Sequence, residues 1–313
     1  MLTPLNRKIK FYISDTCNER CIYCPIHGDS RKTYANLLSA DQIARIASEA
    51  IKLGYIDIKL SAEYGDPLMR KDLEEIVSKI KAHNPNEISI ASNAMTSTQR
   101  IDTLIANGVT KMCLSLDTLN EAKYKDITGV SRFSEVKQAI EHAAQRLKNK
   151  VKVNMVVMAG VNSEEIAEMR EWTASIGAIL QLIEVYEVEG RQEESAQRYY
   201  CLDQEVCDLR SEAFYFEEFR PRAMQRFVFS NGSEVEVTST RRYSDYFFGD
   251  QRLLVHPDGD LANYDVRRTG LKLSGDEEEN IILARLSESS RIGINDIGKP
   301  GITPWGRESS KVS

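Results

Sequence analysis

From Lys8 to about Val185 the chain alternates short apolar runs with longer stretches in which apolar residues recur at helical spacing. The first pattern is that of strands and the second that of amphipathic helices. Strand-like runs are IKFYIS (Ile9 to Ser14), YIDIKLS, EISIAS, KMCLSL, VKVNMVVM and ILQLIEV. Ser39, with Gln42 three positions on, forms a capping box; Ile43, Ile46, Ala47, Ala50 and Ile51 then share one helical face, and Gly54 stops the helix. Further helices are predicted over about 70–82, up to Asn107-Gly108, over about 134–148, and after Asn162, which caps with Glu165. Six βα units with short connections specify a parallel sheet covered by helices. The fold class expected is α/β, a partial (β/α)6 barrel, with ligands at the C-terminal ends of the strands.

After Gly190 the rhythm changes. GRQEESAQRYY reads as a polar, exposed connection, and the stretch from Ala213 to Phe248 as strands and turns, with Asn231-Gly232 a hairpin signal. SGDEEEN from Ser274 reads as an acidic loop, and the last dozen residues as flexible. The expected division is therefore 1–190, the barrel, and 191–313, an α+β extension that closes the barrel and shapes a substrate pocket.

The 313 residues carry a formal charge of −6. No overall footprint for a nucleic acid polymer or an anionic membrane is present, so any anion site must be local. No apolar run reaches the length of a membrane span and no targeting segment is recognisable; a soluble, cytoplasmic protein is expected. Six cysteines are too sparse for a disulfide scaffold in so long a chain. Reduced thiolates on a metal are the better reading of a close trio.

That trio is Cys17, Cys21 and Cys24, at C-x3-C-x2-C spacing directly after the first strand, with Tyr23 before the last cysteine. Three thiolates are one short of a closed four-ligand site and leave a metal position open, to which a cofactor can bind. The motif resembles that of the radical S-adenosylmethionine superfamily. The resemblance implies one [4Fe–4S] cluster on Cys17, Cys21 and Cys24, and S-adenosyl-L-methionine chelated to the open iron near Tyr23. It also implies electron-driven cleavage to a 5′-deoxyadenosyl radical and a flavodoxin or ferredoxin type reductant. KLSAEYGDPLMRKDL is similar to the superfamily's Gly-Gly-Glu-Pro element, with an insertion at Ala62-Glu63. By that likeness Gly65 and Asp66 bind the methionine amino group.

Within the superfamily the chain most resembles the GTP 3′,8-cyclases of molybdenum-cofactor biosynthesis. ASN at 91–93, LSLDTL at 114–119, ITG at 127–129, VKVNMVVMAGVN at 151–162 and LIEV at 182–185 carry the likeness in order. It implies that Ser115 and Tyr186 lie beside the adenosyl cofactor and Asn154 near its ribose. Basic residues on the barrel strands of that family hold a triphosphate, and Lys10, Lys59, Lys152 and Arg252 match them, with Ser92 at a threonine position. A strand lysine is costly to bury without an anion, which points to an anionic small-molecule substrate; strand alternation that turns the lysines to solvent is the competing reading.

Departures from the family matter as much. Its second cluster rests on three cysteines whose positions here fall at about Asp245, Gln251 and Tyr264, so a single cluster is expected. Leu254 replaces the partner of Arg252, and Gln181 stands at an arginine position. Cys201 and Cys207 read as buried hydrophobes or, for Cys201 above all, as a hydrogen donor to a substrate radical; Cys113 reads as core. Arg220, Arg222, Arg241 and Arg242 join Arg252 as anion clamps or as solvated surface. The expected function is hydrogen abstraction from a nucleotide, nucleoside or sugar acid in natural-product biosynthesis, leading to decarboxylation, cyclisation, C–C coupling or epimerisation. Alternatives are a divergent GTP 3′,8-cyclase and a non-catalytic zinc-binding protein with His27 as fourth ligand.

Overall fold

A computed structural model of the chain describes residues 7–24, 33–62, 65–186, 191–219, 224–239, 252–263 and 267–296. Six strands lie side by side in chain order, each parallel to the next: β1 (Lys8–Tyr12), β2 (Asp57–Ser61), β3 (Glu87–Ser92), β4 (Lys111–Ser115), β5 (Val151–Val157) and β6 (Ile179–Glu184). Parallel neighbours need a crossover. It is supplied by α1 (Ala40–Lys52), α2 (Leu73–Lys81), α3 (Thr98–Asn107), α4 (Glu121–Thr128) with α5 (Phe133–Leu147), and α6 (Ile166–Ser175).

Local chemistry explains the helix ends. Ser39 accepts from the Gln42 N–H and the Gln42 side chain answers, so the capping box starts α1, and Gly54 at φ +89° follows its end. Ile43, Ile46, Ala47 and Ala50 are buried against the sheet; each isoleucine contributes about 2 kcal/mol through burial. The eight residues of α4 were not expected, because EAKYKDIT is largely polar; Asn120 caps it by accepting from the Lys123 N–H. Asn162, expected as a cap for α6, makes no side-chain cap bond and serves the site described below. The stretch expected as an exposed connection forms α7 (Gln192–Arg198), followed by α8 (Asp203–Glu212). Beyond the acidic loop, where Glu277 accepts from the Ser274 and Gly275 N–H groups, α9 (Glu279–Asp296) packs beside α1 with Ile282 and Leu286 buried.

The residues after 190 extend the same sheet at both borders. β9 (Glu234–Thr238) adds to β6 in parallel and continues antiparallel into β8 (Met224–Val228) and β7 (Tyr215–Phe219). Asn231-Gly232 makes the turn between β8 and β9, as its sequence signals. β10 (Leu253–Val255) adds to β1 in parallel and continues into β11 (Asp260–Asn263) and β12 (Arg267–Lys272). Eight parallel strands thus stand in the order β10-β1-β2-β3-β4-β5-β6-β9, and among the described residues no pairing joins the outer borders.

Alternation divides this sheet into two faces. Ile9, Phe11, Ile58, Leu60, Ile88, Ile90, Val153 and Met155 pack under the helices in one contiguous apolar core. The alternate positions face a lumen and are polar: Lys8 and Lys10 on β1, Lys59 on β2, Lys111 and Ser115 on β4, Lys152 and Asn154 on β5. At the N-terminal end Lys8 meets Asp57 at 3.4 Å and Lys111 meets Glu87 at 3.5 Å, forming a charged floor.

Candidate active site

The loop with the three cysteines leaves the C-terminal end of β1 and is fixed by its own backbone. The Ile13 N–H donates to Ser61 O at 2.9 Å, Arg20 N–H to Thr128 O at 2.8 Å and Ile22 N–H to Ile127 O at 2.9 Å. The last two acceptors end α4, so that unexpected helix forms one wall of the loop. Cys17, Cys21 and Cys24 are half-buried. Glu19 is buried between them, accepting from the Tyr124 hydroxyl at 2.8 Å, with its other oxygen 3.4 Å from Cys21 Sγ. Burial pushes the Glu19 carboxyl up to about 7, and burial with the Glu19 charge pushes the Cys21 thiol up as well. A cation bound by the thiolates would reverse that logic. Among the described residues no three His, Cys, Asp or Glu side chains converge on one metal ion. His27 lies outside the described residues.

Residues 65–70 press against this loop. A Cβ on Gly65 would sit 2.4 Å from the Thr16 carbonyl oxygen, and the Asp66 N–H donates to the same oxygen at 2.7 Å, so the close approach requires glycine. The buried Asp66 carboxylate accepts from the Leu68 N–H, the Ser92 hydroxyl and the Asn93 N–H at 2.8, 2.9 and 2.7 Å, and burial raises its pKa. Ser92, expected beside the substrate, is therefore buried on Asp66 and positions this segment instead. Arg70 donates to the Ile13 and Leu38 carbonyls and Arg100 to those of Leu68 and Arg70. Asn93 donates to Asn18 Oδ1 at 2.6 Å, tying the end of β3 to the cysteine loop.

Tyr23 is enclosed by Ile127, Met158 and Val185 in a small apolar cluster apart from the main core. Its hydroxyl donates to Asp117 Oδ2 at 2.8 Å, and Asp117 Oδ1 accepts from the Val156 N–H at 2.8 Å. Burial pushes Asp117 up to about 6 against those two bonds. Asn162 completes the junction: its amide donates to the Asp117 and Val156 carbonyls and its oxygen accepts from the Met158 N–H. Tyr23 thus braces the loop against the ends of β4 and β5.

Below the loop lies the lumen. Lys10 and Lys59 stand in register on β1 and β2. The Lys10 ammonium donates to the Tyr12 hydroxyl at 2.9 Å. Lys59 keeps part of its surface toward the lumen but is surrounded by protein. Burial, followed by the like charges of Lys10, Lys152 and Arg252, pulls its ammonium down to about 8, with the Cys113 thiol acting in the opposite direction. Among the described residues no carboxylate pairs with it. Lys152 departs from expectation because Glu236 of β9 forms a buried ion pair with it. On the next layer Ser115 registers with Asn154 and Asn154 with Gln181. Asn154 Oδ1 is enclosed and accepts no hydrogen bond, whereas Gln181 donates to Thr238 at 3.1 Å.

This arrangement of loop and barrel coincides with a family match. The model of the radical SAM superfamily matches residues 11–173. The chain belongs to that superfamily. Radical S-adenosylmethionine enzymes carry a [4Fe–4S] cluster and S-adenosylmethionine, and the protein is such an enzyme. It is 32% identical over 257 residues to a probable GTP 3′,8-cyclase of Methanothermobacter thermautotrophicus, covering 81% of this chain and 82% of that protein. To a probable GTP 3′,8-cyclase of Pyrococcus abyssi it is 33% identical over 273 residues, covering 84% and 86%. Among solved structures, Streptococcus suis SuiB bound to the precursor peptide SuiA superposes with a TM-score of 0.67 at 14% identity, over 92% of this chain and 66% of that one. The anSMEcpe structure with bound AdoMet gives 0.59 at 16% identity, over 92% and 83%. At these identities the two structures speak for the fold alone.

The residues present fit the superfamily's cofactors. The three thiolates suit iron, the Gly65-Asp66 backbone touches the loop that bears them, and an unpartnered Asn154 oxygen faces the lumen. Tyr186, just past β6, is 40% exposed. Cys201 and Cys207 are exposed, against the expectation that such thiols are buried, and Cys113 is buried, as expected of a core residue, at a lumen-side position of β4. Arg252 lies close enough to act on Lys59. Arg220, Arg222, Arg241, Arg242, Asp245, Gln251 and Tyr264 lie outside the described residues. Among the described residues no helix is long and apolar enough to cross a membrane.

Glu19, Asp117 and Glu236 were not singled out from the sequence. Asp117 carried a signal, since LSLDTL places a carboxylate at the end of an otherwise apolar strand. Glu236 did not, because its partner lies on β5, 84 positions earlier.

Proposed function

We propose that this radical SAM enzyme abstracts hydrogen from an anionic small molecule held in the lumen. A nucleotide, nucleoside or sugar acid of natural-product biosynthesis fits best, undergoing decarboxylation, cyclisation, coupling or epimerisation. The observation that carries the reading is Lys59, a cation surrounded by protein, among like charges and, among the described residues, without a carboxylate partner. Such a group is expensive unless an anion arrives to meet it.

Cys17, Cys21 and Cys24 hold the cluster in this reading, Gly65 and Asp66 meet the methionine end of the cofactor, and Ser115, Asn154 and Tyr186 lie along its nucleoside. When bound, the cluster and S-adenosylmethionine supply a 5′-deoxyadenosyl radical, with the electron from a flavodoxin or ferredoxin type protein. Lys10, Lys59 and Arg252 orient the substrate anion, Lys152 is shared with Glu236, and the apolar packing of the Tyr23 junction limits water around the loop. Residues 191–313 contribute β9 and β10, and with them Glu236 and Arg252, to the lumen.

A second reading, GTP cyclisation, is favoured by the names of relatives about one third identical over most of the chain. The test is anaerobic reconstitution with iron and sulfide, reduction, and chromatography for 5′-deoxyadenosine with GTP, other nucleotides and sugar acids. GTP turned over to a cyclic product selects the second reading. Faster turnover with another anion selects the first. Absence of 5′-deoxyadenosine under every condition, or its persistence in Cys21→Ala, overturns both.

A further inference from the structure

Arg191 reaches the cysteine loop from the last third of the chain. It stands directly before α7, and its guanidinium donates to the Cys24 carbonyl at 3.4 Å and to the Ile22 carbonyl at 3.5 Å. These long bonds meet the backbone between the second and third cysteines, where the Cys24 N–H turns back to Cys21 O at 3.0 Å. The same guanidinium pairs with Glu194, whose carboxylate also accepts from Arg198 at 3.4 Å. Two cations and one anion leave this row with a net positive charge.

The helix holds that charge in place. Ser195 is buried, and both its N–H and its hydroxyl donate to the Arg191 carbonyl at 3.0 Å. At the other end the Ala159 N–H donates to Arg198 O at 3.0 Å and Tyr199 bridges to Met158, which ties α7 to the end of β5. Arg191 and Arg198 line a small crevice with Ile22, Tyr23 and Val185. The Arg191 side chain is 21% exposed and that of Glu194 49%. Cys21 lies near the carboxyls of Glu19 and Asp117, so α7 brings charge of the opposite sign to the loop.

We propose that Arg191 is a positioning residue for radical generation: it clamps the loop between Cys21 and Cys24 and, with Glu194 as its counter-charge, sets how readily the cluster accepts an electron. Reduction adds one negative charge to the site and breaks no bond. A fixed cation beside a ligand's carbonyl favours the reduced form, and a carboxylate next to that cation offsets it. The electron comes from the same ferredoxin or flavodoxin class of reductant. The inference rests on the reading that Cys17, Cys21 and Cys24 hold the cluster.

The test is the midpoint potential of the reconstituted cluster, titrated anaerobically and followed by electron paramagnetic resonance without S-adenosylmethionine or substrate, alongside iron content. Arg191→Gln is expected to keep its iron and to shift the midpoint to more negative potential. At a fixed potential its ratio of reduced to oxidised cluster should fall about tenfold, the order expected of one partly screened charge. Arg191→Lys keeps the charge and should stay near wild type. Glu194→Gln removes the counter-charge and should move the midpoint the other way, by less because that side chain is more exposed. A loosened loop would move both glutamine variants in the same direction. Equal midpoints in wild type and Arg191→Gln, equal shifts in Arg191→Gln and Arg191→Lys, or shifts of one sign in Arg191→Gln and Glu194→Gln overturn the role of Arg191. A wild-type chain that shows no reducible cluster overturns the cluster reading itself and this inference with it.

Discussion

The hydroxyl of Tyr23 donates to the buried carboxylate of Asp117 at 2.8 Å, and this bond fastens the cysteine loop to the ends of two strands. Tyr23→Phe leaves that carboxylate one donor short. A loss of about 1–3 kcal/mol in unfolding free energy is expected from an unsatisfied buried acceptor, together with faster iron loss. Urea titration of the metal-free chain and timed chelation of the loaded one would read the two effects. Unchanged values in both would show that the packing of the ring alone suffices.

Lys59 sets a pH dependence whose sign can be worked out. Its ammonium is pulled down to about 8 from 10.5 by burial first and by neighbouring cations second. Between those values the unfolded chain binds more protons than the ligand-free native one, so stability rises with pH across that window. Lys59→Met is expected to remove this slope and to stabilise the empty protein at pH 7 by about 1–3 kcal/mol. Inorganic pyrophosphate, used as a calorimetric probe, should bind more weakly as pH climbs through about 8 and not at all to the methionine variant. Equal binding at pH 7 and pH 9 would refute the assignment.

Gly65 permits contact between two loops. In Gly65→Ala the new methyl meets the Thr16 backbone, and separating the loops costs about 1–3 kcal/mol by analogy with overpacked cores. The iron content should survive, since no cysteine moves in sequence or partner, while S-adenosylmethionine affinity falls. Equilibrium dialysis with the labelled cofactor decides; wild-type affinity would mean that the segment does not bind it.

The Lys152–Glu236 pair is buried, so breaking it from one side strands a charge. Glu236→Gln or Lys152→Met should each cost about 3–5 kcal/mol, and the double replacement by apolar residues less than either. A double-mutant cycle in urea measures the difference. Additive losses would show that the two side chains act independently.

Periodicity revealed the six central strands and most crossover helices because apolar spacing dictates which face is buried. It failed where tertiary contact outweighs pattern. EAKYKDIT has too few apolar positions to announce α4, yet Tyr124 and Ile127 are buried because Glu19 and Ile22 of the cysteine loop bond to them. The cysteine trio was legible from spacing alone, since metal ligation is local in sequence. Ser92 was misread because strand alternation decides whether a polar strand residue meets the lumen or a neighbouring loop. Lys152 looked available for an anion because nothing in VKVNMVVM announces a partner on β9.

The borders of the sheet invite a different view of the protein. The strands that carry the cysteine loop, Gly65-Asp66 and Ser115 occupy its middle, while Glu236 arrives on the flanking β9 and Arg252 directly before the flanking β10, both from the last third of the chain. Each flank is a three-stranded unit joined to the middle along a single strand. Exchange of either unit between relatives could therefore retune substrate choice while the radical generator stays intact, and chimeras cut at the joins of β6 with β9 or β1 with β10 are where new selectivity should first be sought.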